Sequence, residues 1–249
     1  MLILLIFLLG LIIGSFLTTC IYRLPLQLSI VKPRSYCTAC NQQLQVRDLI
    51  PVISFLLLRG RCRFCGGVLS RRYIFIELLT GIVYVWCFTM FGISLLSIKA
   101  LIFSTFLIGI TFIDIDYQLI LDNVVLCLAG IGVIINVFTA SLSLADMIIA
   151  ALIGGGLFLL IAIVTKGGMG GGDIKFVAAL GLWLGFKLTL LTVLLSFLIG
   201  GLGSALLLLA RLKNRKDFIP FGPFIAIGAF LSMLYGEQLI GWYFSSIIK

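Results

Sequence analysis

The chain predicts an all-α, polytopic membrane bundle of about eight helices carrying a small metal-bound loop, and three observations carry that expectation. Of the 249 residues, 62% are apolar and only 11% are charged, whereas a soluble domain is about half apolar and about a quarter charged. The apolar residues gather into uncharged runs of the length that a hydrocarbon core of roughly 30 Å demands of a helix. Those runs lack the two-residue alternation of a β-barrel, so their backbone hydrogen bonds must close within helices.

In chain order the runs cover 2–22, 73–91, 98–113, 119–138, 144–165, 174–186, 188–210 and 218–248. The first could be read as a signal peptide ending in Leu17-Thr-Thr-Cys20, but it has no basic n-region and exceeds an h-region in length. Charge then orients the bundle. If 23–72 is cytoplasmic, fifteen of the 18 basic residues face inside, including Arg71, Arg72, Lys166 and Lys175, and only Lys99, Lys187 and Lys249 fall outside. That asymmetry follows the positive-inside rule. It puts both termini outside and the loops near 23–72, 114–118, 166–173 and 211–217 in the cytoplasm. The formal +9 therefore reads as a topology signal with anionic lipid headgroups as its partner, not as a nucleic-acid footprint.

Seven cysteines divide into two kinds. Cys20, Cys87 and Cys127 sit singly in apolar runs and read as packing residues. Cys37-Thr-Ala-Cys40 and Cys62-Arg-Phe-Cys65 are two knuckles separated by 21 residues. This is a zinc pattern, since each knuckle presents two thiolates to one tetrahedral ion. Disulfides are disfavoured in a reducing cytoplasmic loop. Four sulfurs close the coordination shell, so the ion would be structural and would fold a loop too small for a core of its own.

The chain has no histidine. Ser-His-Asp triads, Cys-His dyads and His-ligated metal sites are excluded together. Its few carboxylates are correspondingly informative. Asp48 and Asp217 lie among loop basics and read as solvated ion pairs. Asp146 and Glu237, near the outer helix ends, are expected to face water. Glu77, one turn inside the second helix, reads equally as a partner of Arg72 or as a site residue.

Two groups are sharper. Asp114, Asp116 and Asp122 fall within nine residues where the third and fourth helices join. Lys166-Gly-Gly-Met-Gly170-Gly-Gly172-Asp173-Ile-Lys175 is a glycine-rich turn that delivers Asp173 to the first turn of a helix, where the helix dipole favours a carboxylate. The turn lacks the GxxxxGK[ST] spacing of a nucleotide loop. An ionisable residue at a bundle edge is by default a functional-site hypothesis. Two carboxylates brought close would share a proton, one acting as base on water and the other polarising a peptide carbonyl, with no catalytic metal. Asp114 and Asp116 are two residues apart and point to different sides of a helix, so only one easily faces Asp173. Spacing alone leaves that choice open, and it leaves an ion-coupled transporter or an inactive zinc-bearing scaffold as rival classes.

Taken as an ordered set, these residues resemble the bacterial type IV prepilin peptidase family along nearly the whole chain. Gly14-Ser-Phe-Leu-Thr-Thr-Cys-Ile-Tyr-Arg-Leu-Pro25 is similar to the family's opening segment. The paired CxxC loop with Ile50-Pro51-Val52 and Leu58-Arg59-Gly60, then Ser70-Arg71-Arg72-Tyr73 through Glu77, resembles its cytoplasmic domain. Asp114-Ile-Asp116 and Gly168-Met-Gly-Gly-Gly-Asp173-Ile-Lys175 resemble its two catalytic motifs.

The resemblance implies Asp114 and Asp173 as catalytic aspartates, with Asp116, Asp122, Gly170, Gly172 and Lys175 supporting. It implies a GxGD-type aspartyl protease of the bacterial cytoplasmic membrane, working at the cytoplasmic face on prepilins or pseudopilins of pilus, competence or secretion systems. It also implies N-methylation of the new amino terminus from S-adenosylmethionine, with Glu77, Arg71 and Arg72 in the methyltransferase region. A peptidase without methyltransferase activity is the alternative. The implied division is 1–22 for the first membrane helix, 23–72 for the zinc loop associated with methylation, and 73–249 for the peptidase bundle. Where the family's first motif ends in Ile-Pro-Asp or Leu-Pro-Asp, this chain has Ile120-Leu121-Asp122. Oligomeric state leaves no mark in the sequence.

Overall fold

The computed structural model describes residues 1–37, 39–210, 214 and 219–247; the expectations for Arg211, Lys213, Arg215, Lys216, Asp217 and Lys249 lie outside them. Seven helices among the described residues are long and apolar enough to cross a membrane. In chain order the helices are α1 (Leu2–Arg23), the short α2 (Ile53–Leu57), α3 (Arg72–Phe91), α4 (Leu95–Tyr117), α5 (Asp122–Thr139), α6 (Leu144–Val164), α7 (Gly171–Leu209) and α8 (Gly222–Ile247). The chain divides into two units, Met1–Gly109 and Ile110–Lys249, with the boundary inside α4.

In the first unit α1 packs on α3 through small residues. Gly10 and Gly14 stand one turn apart, and a Cβ at either would come within 2.7 Å of the Cα of Gly81 or of Glu77, respectively. Lipid tails offer no hydrophobic drive between such helices, so close backbone approach through glycine supplies the van der Waals contact. Between α1 and α3 the chain makes two equivalent knuckles. Each is closed by an isolated antiparallel bridge, Tyr36 to Gln43 and Arg61 to Val68. In each, the residue after the second cysteine has positive φ, Asn41 at 57° and Gly66 at 69°.

In the second unit α7 extends over 39 residues, about 58 Å at 1.5 Å per residue and nearly twice the hydrocarbon thickness. It is not one straight rod. Gly185 has φ 74° and ψ 176°, a backbone open essentially to glycine alone. A Cβ on Gly154 of α6 would touch Thr189 Cγ2 at 2.8 Å and Val177 Cγ1 at 3.1 Å. Residues 177 and 189 would lie about 18 Å apart along a continuous helix, so the chain folds back at Gly185. The two halves are the two expected segments 174–186 and 188–210.

The break is satisfied chemically. The fully buried Asn136 donates from Nδ2 to the Leu182 carbonyl at 2.7 Å and to the Trp183 carbonyl at 3.3 Å. The Phe186 N–H donates to Asp146 at 3.3 Å. Asp146 is therefore not simply a water-facing residue of an outer helix end: its carboxylate caps the second half of α7, a role that only the fold-back creates. Glu237 is exposed, and Cys20 and Cys87 are buried while Cys127 is exposed.

A methyl group on Gly185 would strike the Asp146 carboxylate and come within 2.9 Å of Leu142. Gly185→Ala is therefore expected to cost about 2 kcal/mol or more, combining backbone strain with a clash. Thermal unfolding in detergent, compared with the unmodified chain, checks it.

Helix boundaries differ from expectation where the site lies. The third long helix runs on to Tyr117, so Asp114 and Asp116 belong to its last turn and not to a loop. The fourth begins at Asp122 because Leu121, extended at φ −74° and ψ 124°, holds the N-cap position.

Candidate functional site

Four helix ends of the second unit converge: the C-terminal turn of α4 and the first turns of α5, α7 and α8. Asp114 is 5% exposed and Asp173 is 9% exposed, while Asp116 is exposed. Packing thus turns Asp114 inward and Asp116 outward. Asp114 and Asp173 lie near enough to feel each other's charge. The Gly222 N–H donates to Asp114 Oδ2 at 2.9 Å, placing the first turn of α8, the positive end of its dipole, against a carboxylate.

Gly222 is a site residue that sequence reasoning missed. Its signal was the run Pro220-Phe221-Gly222-Pro223, with a proline in the first turn of a helix where no N–H is needed. A side chain there is excluded, because a Cβ would stand 2.6 Å from Asp114 Oδ2. Aromatic packing sets its position. The Phe221 ring lies 5.3 Å from that of Phe197 and 6.1 Å from that of Phe158, and Gly200 leaves room for it, since a Cβ there would reach Phe221 at 2.8 Å.

The glycine turn before Asp173 is equally tight. Gly170 is the N-cap of α7, and a Cβ on it would stand 3.2 Å from Asp173 Oδ2. At Gly172 a Cβ would come within 2.8 Å of the Ile120 Cβ, so this glycine lets the α4–α5 turn rest on the start of α7. Lys175 Nζ reaches both oxygens of Asp122 at 2.8 Å, tying the starts of α5 and α7. With both side chains more than half exposed, that pair contributes at most about 1 kcal/mol.

Leu121 stands where the resemblance would place proline. Its φ of −74° suits a proline ring, and no acceptor faces its N–H among the described residues. Leu121→Pro is therefore expected to be accepted, raising stability by about 0.4–1 kcal/mol through the unfolded chain. A rise or no change in melting temperature agrees with this; a fall of several degrees does not.

The four thiols of Cys37, Cys40, Cys62 and Cys65 all lie within 4.8 Å of one another, and Cys37 Sγ is 3.8 Å from Cys65 Sγ. A tetrahedral site with metal–sulfur bonds of about 2.3 Å requires sulfurs about 3.8 Å apart, so the four residues fit a metal ion. Backbone N–H groups also face the sulfurs, Phe64 to Cys62 and Gly67 to Cys65 at 3.4 Å. Those of Cys40 and Ala39 bring the Cys37 thiol down to about 7. Asp48 does not merely meet solvent: its side chain is 2% exposed and takes a 2.7 Å hydrogen bond from Arg63 Nε in the second knuckle.

Glu77 is 7% exposed, and its Oε2 accepts the Val52 N–H at 2.7 Å. It is not the ion-pair partner of Arg72. Glu77 borders the large cavity of the first unit, of about 1290 Å³, whose lining does not include Arg71 or Arg72.

The chain is similar to known proteins over almost all of its length. The model of the bacterial peptidase A24 N-terminal domain matches residues 8–91, and that of the type IV leader peptidase family matches residues 101–205. A protein of Bacillus subtilis (strain 168) named prepilin leader peptidase/N-methyltransferase is 40% identical, over 95% of this chain and 96% of its own. Proteins of the same name from Aeromonas salmonicida (strain A449) and Pseudomonas aeruginosa are 34% and 33% identical. They are covered over 94% and 91% of their lengths, against 98% and 95% of this chain. No solved structure matches.

Proposed function

This chain belongs to the type IV leader peptidase family, and on that premise we propose that it is a membrane aspartyl endopeptidase that removes the leader of prepilin-like substrates and N-methylates the amino terminus it exposes. The observation that carries the peptidase reading is the pair of buried carboxylates, Asp114 and Asp173, at converging helix ends. With no histidine in the chain, acid and base work falls to carboxylates.

In this reading the pair shares one proton and titrates as a unit. The ionised member takes a proton from water as the oxygen attacks the scissile carbonyl, and the protonated member donates to the carbonyl oxygen. Collapse of the tetrahedral intermediate expels the new amine, which leaves with a proton from the dyad. Gly222 holds the Asp114 carboxylate in place, Gly170 and Gly172 set the approach of Asp173, and the Lys175–Asp122 pair ties the flanking helix ends. Asp116, exposed on the same turn, is placed to meet a basic leader. Membrane insertion of the substrate would present its bond at one depth, replacing a three-dimensional search with positioning.

The loop over 23–72 serves methylation, with zinc as the ion of its four thiolates, a structural ion that leaves no open coordination position. S-adenosylmethionine supplies the methyl group. Charge asymmetry supports a site at the inner face of the bacterial cytoplasmic membrane. The loop is suited to anionic lipid there, because apolar Leu56, Leu57 and Val68 are exposed among arginines 59, 61, 63 and 71. Co-expression with a prepilin-like substrate, followed by mass spectrometry of the mature amino terminus, tests the reading. Leader loss with an added methyl mass is expected. An uncut substrate in the presence of well-expressed enzyme contradicts it.

A further inference from the structure

The first unit holds, near the end of α1 and the start of α3, a cavity whose walls carry, besides the Asp48 that pairs with Arg63, two buried charges of opposite sign. Arg23 is 7% exposed and Glu77 is 7% exposed, and both line the cavity. Neither takes part in an ion pair among the described residues. Arg23 spends one donor on the Ser29 carbonyl at 2.9 Å; a guanidinium has five. Glu77 accepts the Val52 N–H and a hydrogen bond from the Ser15 side chain, neither of which carries a charge. A buried charge without a counter-ion is costly unless something else answers it.

Two further observations suit a ligand site. The cavity measures about 1290 Å³, above the roughly 300–1,000 Å³ of a site for one small molecule, and it can take two reactants side by side. Its rim is rigid. Val52, a β-branched residue, is held at φ 61° and ψ −52°, a conformation such residues avoid, and Glu77 is the side chain that grips its N–H. The metal-binding Cys37 and the aromatic residues Phe55 and Tyr73 complete the wall.

We propose that this cavity seats the methyl donor and the substrate's new amino terminus together, with Arg23 binding the carboxylate of the donor's amino-acid moiety and Glu77 binding the acceptor amine. The proposal rests on the methyltransferase reading above and names its site. In the transfer Glu77 takes a proton from the ammonium, and the freed nitrogen lone pair forms the N–CH3 bond. The S–CH3 bond breaks, and its electron pair stays on sulfur, turning the sulfonium into a thioether. Charge balances, since the ammonium's proton neutralises Glu77, the positive charge lost at sulfur reappears on the methylated ammonium, and no oxidant or reductant is needed.

The test uses the purified full chain in lipid nanodiscs with a prepilin-like peptide and S-adenosylmethionine. In Glu77→Gln the side-chain oxygen still accepts the Val52 N–H, so cleavage should stay within about twofold while methylation falls at least about 100-fold, with the donor KM little changed. In Arg23→Gln the donor KM should rise at least about tenfold, and Arg23→Lys should recover much of it. Independently of any variant, photo-crosslinking of radiolabelled S-adenosylmethionine to the unmodified chain should label peptides containing 15–36 or 52–77. Full methylation by Glu77→Gln, an unchanged donor KM in Arg23→Gln, or a label mapped to the second unit each overturns the proposal while the methyltransferase reading stands. An unmodified chain that cleaves but neither methylates nor binds the donor removes that reading and the proposal with it.

Discussion

Asparagine in place of Asp114 or of Asp173 should lower leader cleavage by at least about 10³-fold, with expression and thermal unfolding nearly unchanged. Positioned acid–base groups contribute about 10²–10⁴-fold each, and here each carboxylate serves in both the attack and the collapse. Asparagine is close in shape and at position 114 still offers an oxygen to the Gly222 N–H, so the 2.9 Å contact can persist and the loss is chemical, not structural. Asp116→Asn is the comparison, since it removes a charge that would meet the leader and not a reacting group. Its side chain is exposed on the opposite side of the same turn, and cleavage by that variant should remain within about tenfold of normal. Mass spectrometry of the substrate, with enzyme amounts matched by blotting, reads all three.

Removing the metal should separate the two activities. The loop buries little besides Cys37 and Cys62, each 4% exposed, while Val46, Leu57 and Val68 are 82%, 78% and 82% exposed. Without an ion it has no core to hold it. A structural thiolate site supplies about 10–16 kcal/mol in small zinc modules, and there binding and folding are one event. Cys62→Ser, or treatment with a strong chelator, should therefore abolish methylation and open the loop to limited proteolysis between 32 and 70. Cleavage should stay within about threefold, because Asp114, Asp173 and Gly222 belong to the second unit. Metal content by mass spectrometry should fall from one ion per chain to none. Equal loss of both activities would mean that the loop also serves the peptidase.

What was legible in the sequence follows the range of the forces involved. The two CxxC knuckles were read directly, because each is closed locally by turns such as Asn41 N–H to the Cys37 carbonyl at 2.8 Å and Gly66 N–H to the Cys62 carbonyl at 2.9 Å. The membrane runs were read from composition, and even the break in α7 showed as an interruption near 187. Its partners did not. Asp146 and Asn136 cap that break from 40 and 46 residues or more away, and nothing local marks them. The inward turn of Asp114 relative to Asp116 likewise depends on α8, whose Gly222 arrives 108 residues later. Glu77 was visible as an acid inside a helix, but its partners, the Val52 N–H across a loop and the Ser15 side chain, were not the arginine at the start of that helix.

The most direct test of the central claim, that Asp114 and Asp173 act as one unit sharing a proton, is a double-mutant cycle on peptide cleavage in nanodiscs. Residues that act as a unit are strongly non-additive. The predicted result is that Asp114→Asn/Asp173→Asn is no worse than either single variant, within about threefold, with all three near background. Losses that multiply, or a single variant that keeps more than about a tenth of the normal rate, would contradict a shared-proton dyad.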